Sequence, residues 1–214
     1  MTATDIADPF AGADPDDDPF ATSEDVKSGS FIPRPALEDL EGRLIVMVPR
    51  AFTEDAKTPE QFVKMGADPT RQQYTVDLVV LDGGTLTYEY KSSEADGNGG
   101  TRKVTKVNTV DTLPALFPGL WVSQASLIGQ LRKVDGTRRP LLLGIMRKGP
   151  QADDRKAGKT WQDVADEFAA WRKNPRGNPP KFSWQVDVDA VTSAHKGLAS
   201  AWLAAARAEG FSIA

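Results

Sequence analysis

The sequence contains no cysteine, one histidine and three tyrosines among its 214 residues. Without cysteine neither a disulfide framework nor a thiolate metal site can form, which excludes zinc ribbons and makes a reducing compartment the expected setting. One histidine, His195, cannot build a histidine-rich metal centre, and no glycine-flanked serine elbow accompanies it. Long hydrophobic runs are missing as well. The most apolar stretches, LIVMV at 44–48 and LLLGIM at 141–146, fall far short of the roughly 20 residues that cross a bilayer. The N-terminal stretch has neither the basic start nor the apolar centre of a signal peptide. A soluble protein of the cytoplasm, without membrane contact, is the expectation.

Basic residues are absent from positions 1–26, where eight acids stand: Asp5, Asp8, Asp14, Asp16, Asp17, Asp18, Glu24 and Asp25. The formal net charge of -4 therefore hides a body with 26 basic and 22 acidic residues, about +4. Within 132–159 nine bases face three acids. An acidic arm on a basic body is a charge asymmetry typical of proteins whose partner is a polyanion. Residues 1–35 mix Asp, Ala, Pro, Gly and Ser with few large apolar groups, too few to offset the entropy of ordering, so they read as a disordered acidic arm.

Order is expected from about Leu37. GRLIVMVP (42–49) has the form of a buried strand closed by proline. The alternation of Tyr74, Val76, Leu78 and Val80 with Thr75, Asp77 and Val79, followed by Asp82-Gly83-Gly84 and then Leu86, Tyr88 and Tyr90, predicts a hairpin. Residues 92–100 read as a flexible loop, 101–107 as a basic strand and 113–120 as irregular. A strand at 141–146 carries Gly144, a sign of a bulge or a close approach. Helical periodicity starts at Thr160, a plausible cap with Asp163 three residues on, and returns at 192–208, with a strand at 182–188 between. The fold class that follows is mostly β with an α-helical extension. The expected form is a five-stranded Greek-key barrel of the oligonucleotide-binding type, or a curved sheet, over 36–150, with C-terminal helices over 151–214 packed on it.

Catalytic patterns fail on spacing. AGKT (157–160) suggests a phosphate loop, but the glycine required five residues before Gly158 is Asp153. Asp77, Asp82, Asp187 and Asp189 suit turns and strand ends better than Mg²⁺ ligation. No catalytic residue, metal or cofactor is expected. Binding of a single strand needs cations that follow phosphates and aromatic faces on which bases stack. The sequence offers Tyr74, Tyr88, Tyr90 and Trp121 as stacking faces. The accompanying cations are Arg50, Arg71, Lys91, Arg102 and Lys103, then Arg132, Lys133, Arg138, Arg139, Arg147 and Lys148. Trp161, Phe168, Trp171 and Trp202 are assigned to helix packing.

The stretch from DPFATSEDVKSGSFIPRPALEDLEGRLIVMVPR, through QYTVDLVVLDGG and SLIGQLRKVDGTRRPLLLGIMRKGP, to the closing AWLAAARA helix resembles a group of small proteins from bacteriophages of actinobacteria. That resemblance implies a non-catalytic single-stranded-DNA-binding protein with an oligonucleotide-binding fold, acting in phage replication or recombination in the host cytoplasm. It implies no catalytic residues. Separately, Asp16, Asp17, Asp18, Pro19 and Phe20 resemble the acidic tail of bacterial single-stranded-DNA-binding proteins, which docks replication and repair partners. Here the motif lies at the front of the chain, and Phe20 has no terminal carboxylate. Single-stranded DNA is the expected partner, with replication or recombination proteins reached through the arm and a homo-oligomer also open. The alternative is a virion structural or adaptor protein that binds no nucleic acid.

Overall fold

The computed structural model describes residues 33–82, 84–95, 101–138 and 140–211. Among these, seven strands form two antiparallel sheets, accompanied by several helices. The five-stranded sheet has the order β5-β2-β1-β6-β7, with β1 (Leu44–Lys57), β2 (Thr70–Val80), β5 (Ala115–Val122), β6 (Leu142–Gly149) and β7 (Ser183–Asp187). The second sheet is the pair β3 (Leu86–Ala95) and β4 (Thr101–Val110). The helices are α1 (Glu60–Lys64), α2 (Ala125–Val134), α3 (Ala152–Lys156), α4 (Trp161–Lys173) and α5 (Ser193–Ala208). The chain divides into two compact units, one of residues 40–84 and 112–214, the other of residues up to 39 with 85–111.

In the larger unit, β1 explains its own continuous apolar run. All of Leu44 to Val48 is buried, which requires cover on both faces of the sheet. On one face Leu44, Val46 and Val48 join Val79, Leu81 and Ala199, with Trp202, Leu203 and Phe211 packed against them, so α5 lies over this side. On the other, Ile45 and Met47 pair with Val80 and Leu78, which continue to Ala115 and Phe117. There α2 contacts β2, β6 and β7 and buries Leu127, Ile128 and Leu131. Each such aliphatic side chain stabilises the fold by about 1.5–3 kcal/mol. Beyond Pro49 the strand becomes exposed and runs out with the start of β2 as a ribbon closed by α1.

The sheet stays open between β5 and β7, and α2 occupies the free edge of β7. Gln130 donates from Nε2 to the Val186 carbonyl at 2.7 Å and accepts at Oε1 from the Val186 N–H at 2.9 Å. Ser126 donates to the Trp184 carbonyl at 2.6 Å. One amide side chain thus replaces a strand neighbour, satisfying backbone groups that burial would otherwise penalise. Gly144 in β6 is required by a close approach, since a Cβ there would lie 2.5 Å from the Val186 side chain and 2.6 Å from the Asp187 carbonyl oxygen.

Several expectations need correction. The predicted hairpin contains the right strands with the wrong pairing: β2 pairs with β1 and β5, while β3 pairs with β4. Residues 92–95 extend β3 where a loop was expected, and 115–122 form β5 where irregular chain was expected. The expected boundary at 150 is crossed by the larger unit, whose fifth strand, β7, comes from the supposed extension. Order also starts earlier than Leu37. In the smaller unit Pro33 and Pro35 are buried, and the Pro33 carbonyl accepts a 2.6 Å bond from the Tyr88 hydroxyl. The DDDPF motif and the arm through residue 32 lie outside the described residues.

Candidate nucleic-acid interface

Tyr74 stands on β2 opposite Phe52 of β1. A bulge after Pro49 turns Phe52 outward to 37% exposure while Tyr74 stays at 2%. The two rings lie 4.9 Å apart, and the Arg132 guanidinium, from the last turn of α2, sits over the Phe52 ring at 4.8 Å. Below, the Tyr74 hydroxyl donates to Asp135 at 2.9 Å. Burial, aided by the Asp135 carboxylate, pushes the Tyr74 phenol up to about 12. The result is three tiers, Tyr74 inside, Phe52 at the rim with its ring tilted 45° to that of Tyr74, and Arg132 outermost. Lys133 and Arg138 follow on exposed chain. Arg71, near the α1 end of the same ribbon, is held below its ordinary value by burial, and its Nε finds no hydrogen-bond acceptor among the described residues.

A second cation–aromatic cluster lies where β6 meets α4 and β7. Lys148 bonds Glu41 at 2.7 Å and is surrounded by the rings of Phe168, Trp184 and Phe182 at 5.0, 5.1 and 5.4 Å. Arg147 beside it reaches Asp187 at 3.5 Å. A cavity of about 200 Å³ opens next to this cluster, bordered by Arg147, Trp161, Phe168 and Arg172.

Other sequence-designated residues are placed elsewhere. Tyr74 and Tyr88 offer no ring face to solvent, each being 2% exposed, so neither acts as a stacking platform. Tyr88 is fixed because its hydroxyl bonds Pro33 and accepts from Asn108 at 2.7 Å. Tyr90 and Trp121 are half-buried. Arg50 is held at 2.6 Å by Asp77 and lies over Phe211 at 4.8 Å, on the face covered by α5. Asp77 also accepts from the Gly119 N–H at 3.0 Å, which secures the bulge between β2 and β5; Gly119 adopts a φ of 68° there. In the smaller unit Arg102 and Lys106 share Glu94 at 3.5 and 3.2 Å and hold its carboxyl below the usual range. Lys91 and Lys103 are exposed on the same pair of strands, and Arg139 lies outside the described residues. Within the larger unit the cations gather about Phe52 and beside Lys148, and within the smaller unit about Glu94.

The remaining chemical motifs are absorbed by structure. Lys159 of AGKT pairs with Glu167 at 2.8 Å and Asp154 at 3.9 Å. His195 completes a capping box, its Nδ1 accepting from the Thr192 N–H at 3.2 Å. Asp187 caps Ala190 at 3.1 Å, and Asp82 faces Arg43 at 3.9 Å. Among the described residues no group of three or more His, Asp or Glu could hold a metal ion, and no helix is long and apolar enough to cross a membrane.

Sequence reasoning missed Phe52, Phe168 and Phe182 as partners of the cations. Their local periodicity marks them only as strand and helix positions; it is the cross-strand register and the docking of α4 that bring them to Arg132 and Lys148. The chain matches no family model, no curated protein and no solved structure. What fold and site define together is a mostly β protein with two antiparallel sheets and cation–aromatic clusters on its larger unit.

Proposed function

We propose that the protein is a non-catalytic single-stranded-DNA-binding protein, acting in phage replication or recombination in the host cytoplasm, whose larger unit is a variant of the oligonucleotide-binding fold. The observation that carries this reading is the strand order. Numbered within the sheet, β1, β2, β5, β6 and β7 follow the order 3-2-1-4-5, with a helix between the third and fourth strands. That order matches the one obtained by opening a five-stranded Greek-key barrel at one seam, a form whose second and third strands and flanking loops serve oligonucleotides. The Tyr74–Phe52–Arg132 stack supports the same reading. Bases stack on guanidinium planes as on aromatic rings, at about 1–3 kcal/mol per base, and Lys133 and Arg138 supply charge for the adjoining phosphates.

The test is anisotropy of a labelled oligothymidine, with a duplex as control, at two salt concentrations. Wild type should bind the single strand more tightly than the duplex, and raised salt should weaken binding. Arg132→Glu should weaken it by about tenfold or more. A second reading, a structural or adaptor protein, is favoured by one observation: an open groove of about 450 Å³ bordered by Pro114, Leu116, Trp202 and Phe211. Equal, weak binding to both nucleic acids would favour that reading.

A further inference from the structure

The cavity beside Lys148 is left unexplained by the Arg132 stack. Glu41 and Lys148 also line it, but they are paired with each other, so Lys148 is not available to a ligand. Its ammonium is held by Glu41 and enclosed by three rings, and its side chain is 15% exposed. Its ammonium, 5.0 Å from the centroid of the Phe168 ring, adds a positive charge beside the aromatic wall of the cavity. Arg147 has a side chain 43% exposed and a 3.5 Å contact to Asp187, and Arg172 is exposed in the last turn of α4. At about 200 Å³ the space is below the ~300–1,000 Å³ of sites for drug-sized ligands and suits one planar ring. Aromatic walls with arginines at the rim match a ring joined to an anion, the chemistry of a nucleotide.

We propose that this cavity receives one base of the bound strand, against Trp161 and Phe168, with the attached phosphate between Arg147 and Arg172. The inference rests on the single-strand reading and adds to it a contact made by different elements. An acidic peptide carrying an aromatic residue shares part of this chemistry but requires room for backbone as well as for a ring.

The full chain is titrated with labelled oligothymidine, with Arg172→Glu, Arg172→Lys and Arg132→Glu in parallel. Arg172 is exposed, so its variants should melt like wild type. Arg172→Glu should lose about tenfold in affinity and Arg172→Lys about threefold or less. Tryptophan fluorescence should be quenched by the oligonucleotide, and Trp161→Phe should abolish most of that quench. Wild-type affinity in Arg172→Glu together with loss in Arg132→Glu would overturn the cavity and leave the strand reading standing. Absence of oligonucleotide binding by wild type would overturn both. Quenching by a synthetic DPDDDPF peptide, with none by the oligonucleotide, would assign the cavity to an acidic peptide and overturn the proposal.

Discussion

The hydroxyl of Tyr74 couples the interior of the sheet to the end of α2. Its ordinary pKa of 10.0 is raised to about 12, chiefly by burial. A raised folded-state value means that the folded chain holds the proton more tightly than the unfolded chain. The stabilisation is therefore complete below pH 10 and is lost as pH climbs from about 10 to about 12. Tyr74→Phe should cost about 1 kcal/mol at neutral pH through the lost hydrogen bond and should flatten this alkaline decline. Urea melts of both proteins from pH 8 to pH 11 check the sign; parallel decline in the two would refute it. The same residue marks a limit of sequence reading. Tyr74, Tyr88 and Tyr90 alternate on paper as one set of ring faces, but a buried phenol with a hydrogen-bond partner is worth more to the core than to a surface, and Asp135 and Pro33 provide those partners.

At the scale of elements, the two long helices could be read directly because their signals are local. Thr160 with Asp163 and Thr192 with His195 both form capping boxes, and Thr160 holds the Asp163 carboxyl below its usual range by hydrogen bonding. Thr192→Ala should cost about 1 kcal/mol, measurable by thermal melting. Strand pairing was not legible, since a glycine turn between two alternating runs describes a hairpin equally well whether or not the chain departs into a separate sheet. Nor could the cover of the outer edge of β7 be foreseen. Gln130 is an ordinary helical residue in the sequence, and only the docking of α2 on β7 gives it two backbone partners. Gln130→Ala should destabilise the larger unit by about 1–3 kcal/mol, because it leaves the Val186 N–H and C=O unpaired. Hydrogen exchange at the Val186 amide should accelerate in step; unchanged protection would show that another group covers this edge. Gly144→Ala should be more costly than an ordinary strand substitution, since its methyl group meets the Asp187 backbone and backbone yields less readily than a flexible side chain.

For the molecule as a whole, charge is the property the sequence states most plainly. Removing residues 1–26 takes away eight carboxylates and no base, changing the formal charge from -4 to about +4. If single-strand binding is electrostatic in origin, this deletion should tighten it at low salt and have little effect at high salt. Contacts by Arg132, Lys133 and Arg138 with three phosphates correspond to a slope of about -2 in log affinity against log salt. A flat salt series, with the deletion variant indistinguishable from the full chain, would dissociate the arm from binding.

Composition and local pattern determined the mostly β character, the two capped helices, the buried run of β1 and the close approach at Gly144, because each depends on neighbours within a few residues. Tertiary structure alone decided that the rings meeting Arg132 and Lys148 are phenylalanines and Trp184, that the tyrosine of β2 is buried, and that β7 finishes the sheet against α2. Those outcomes depend on register and on docking between segments distant in the chain, where the gain from covering apolar surface outweighs any preference a single stretch expresses.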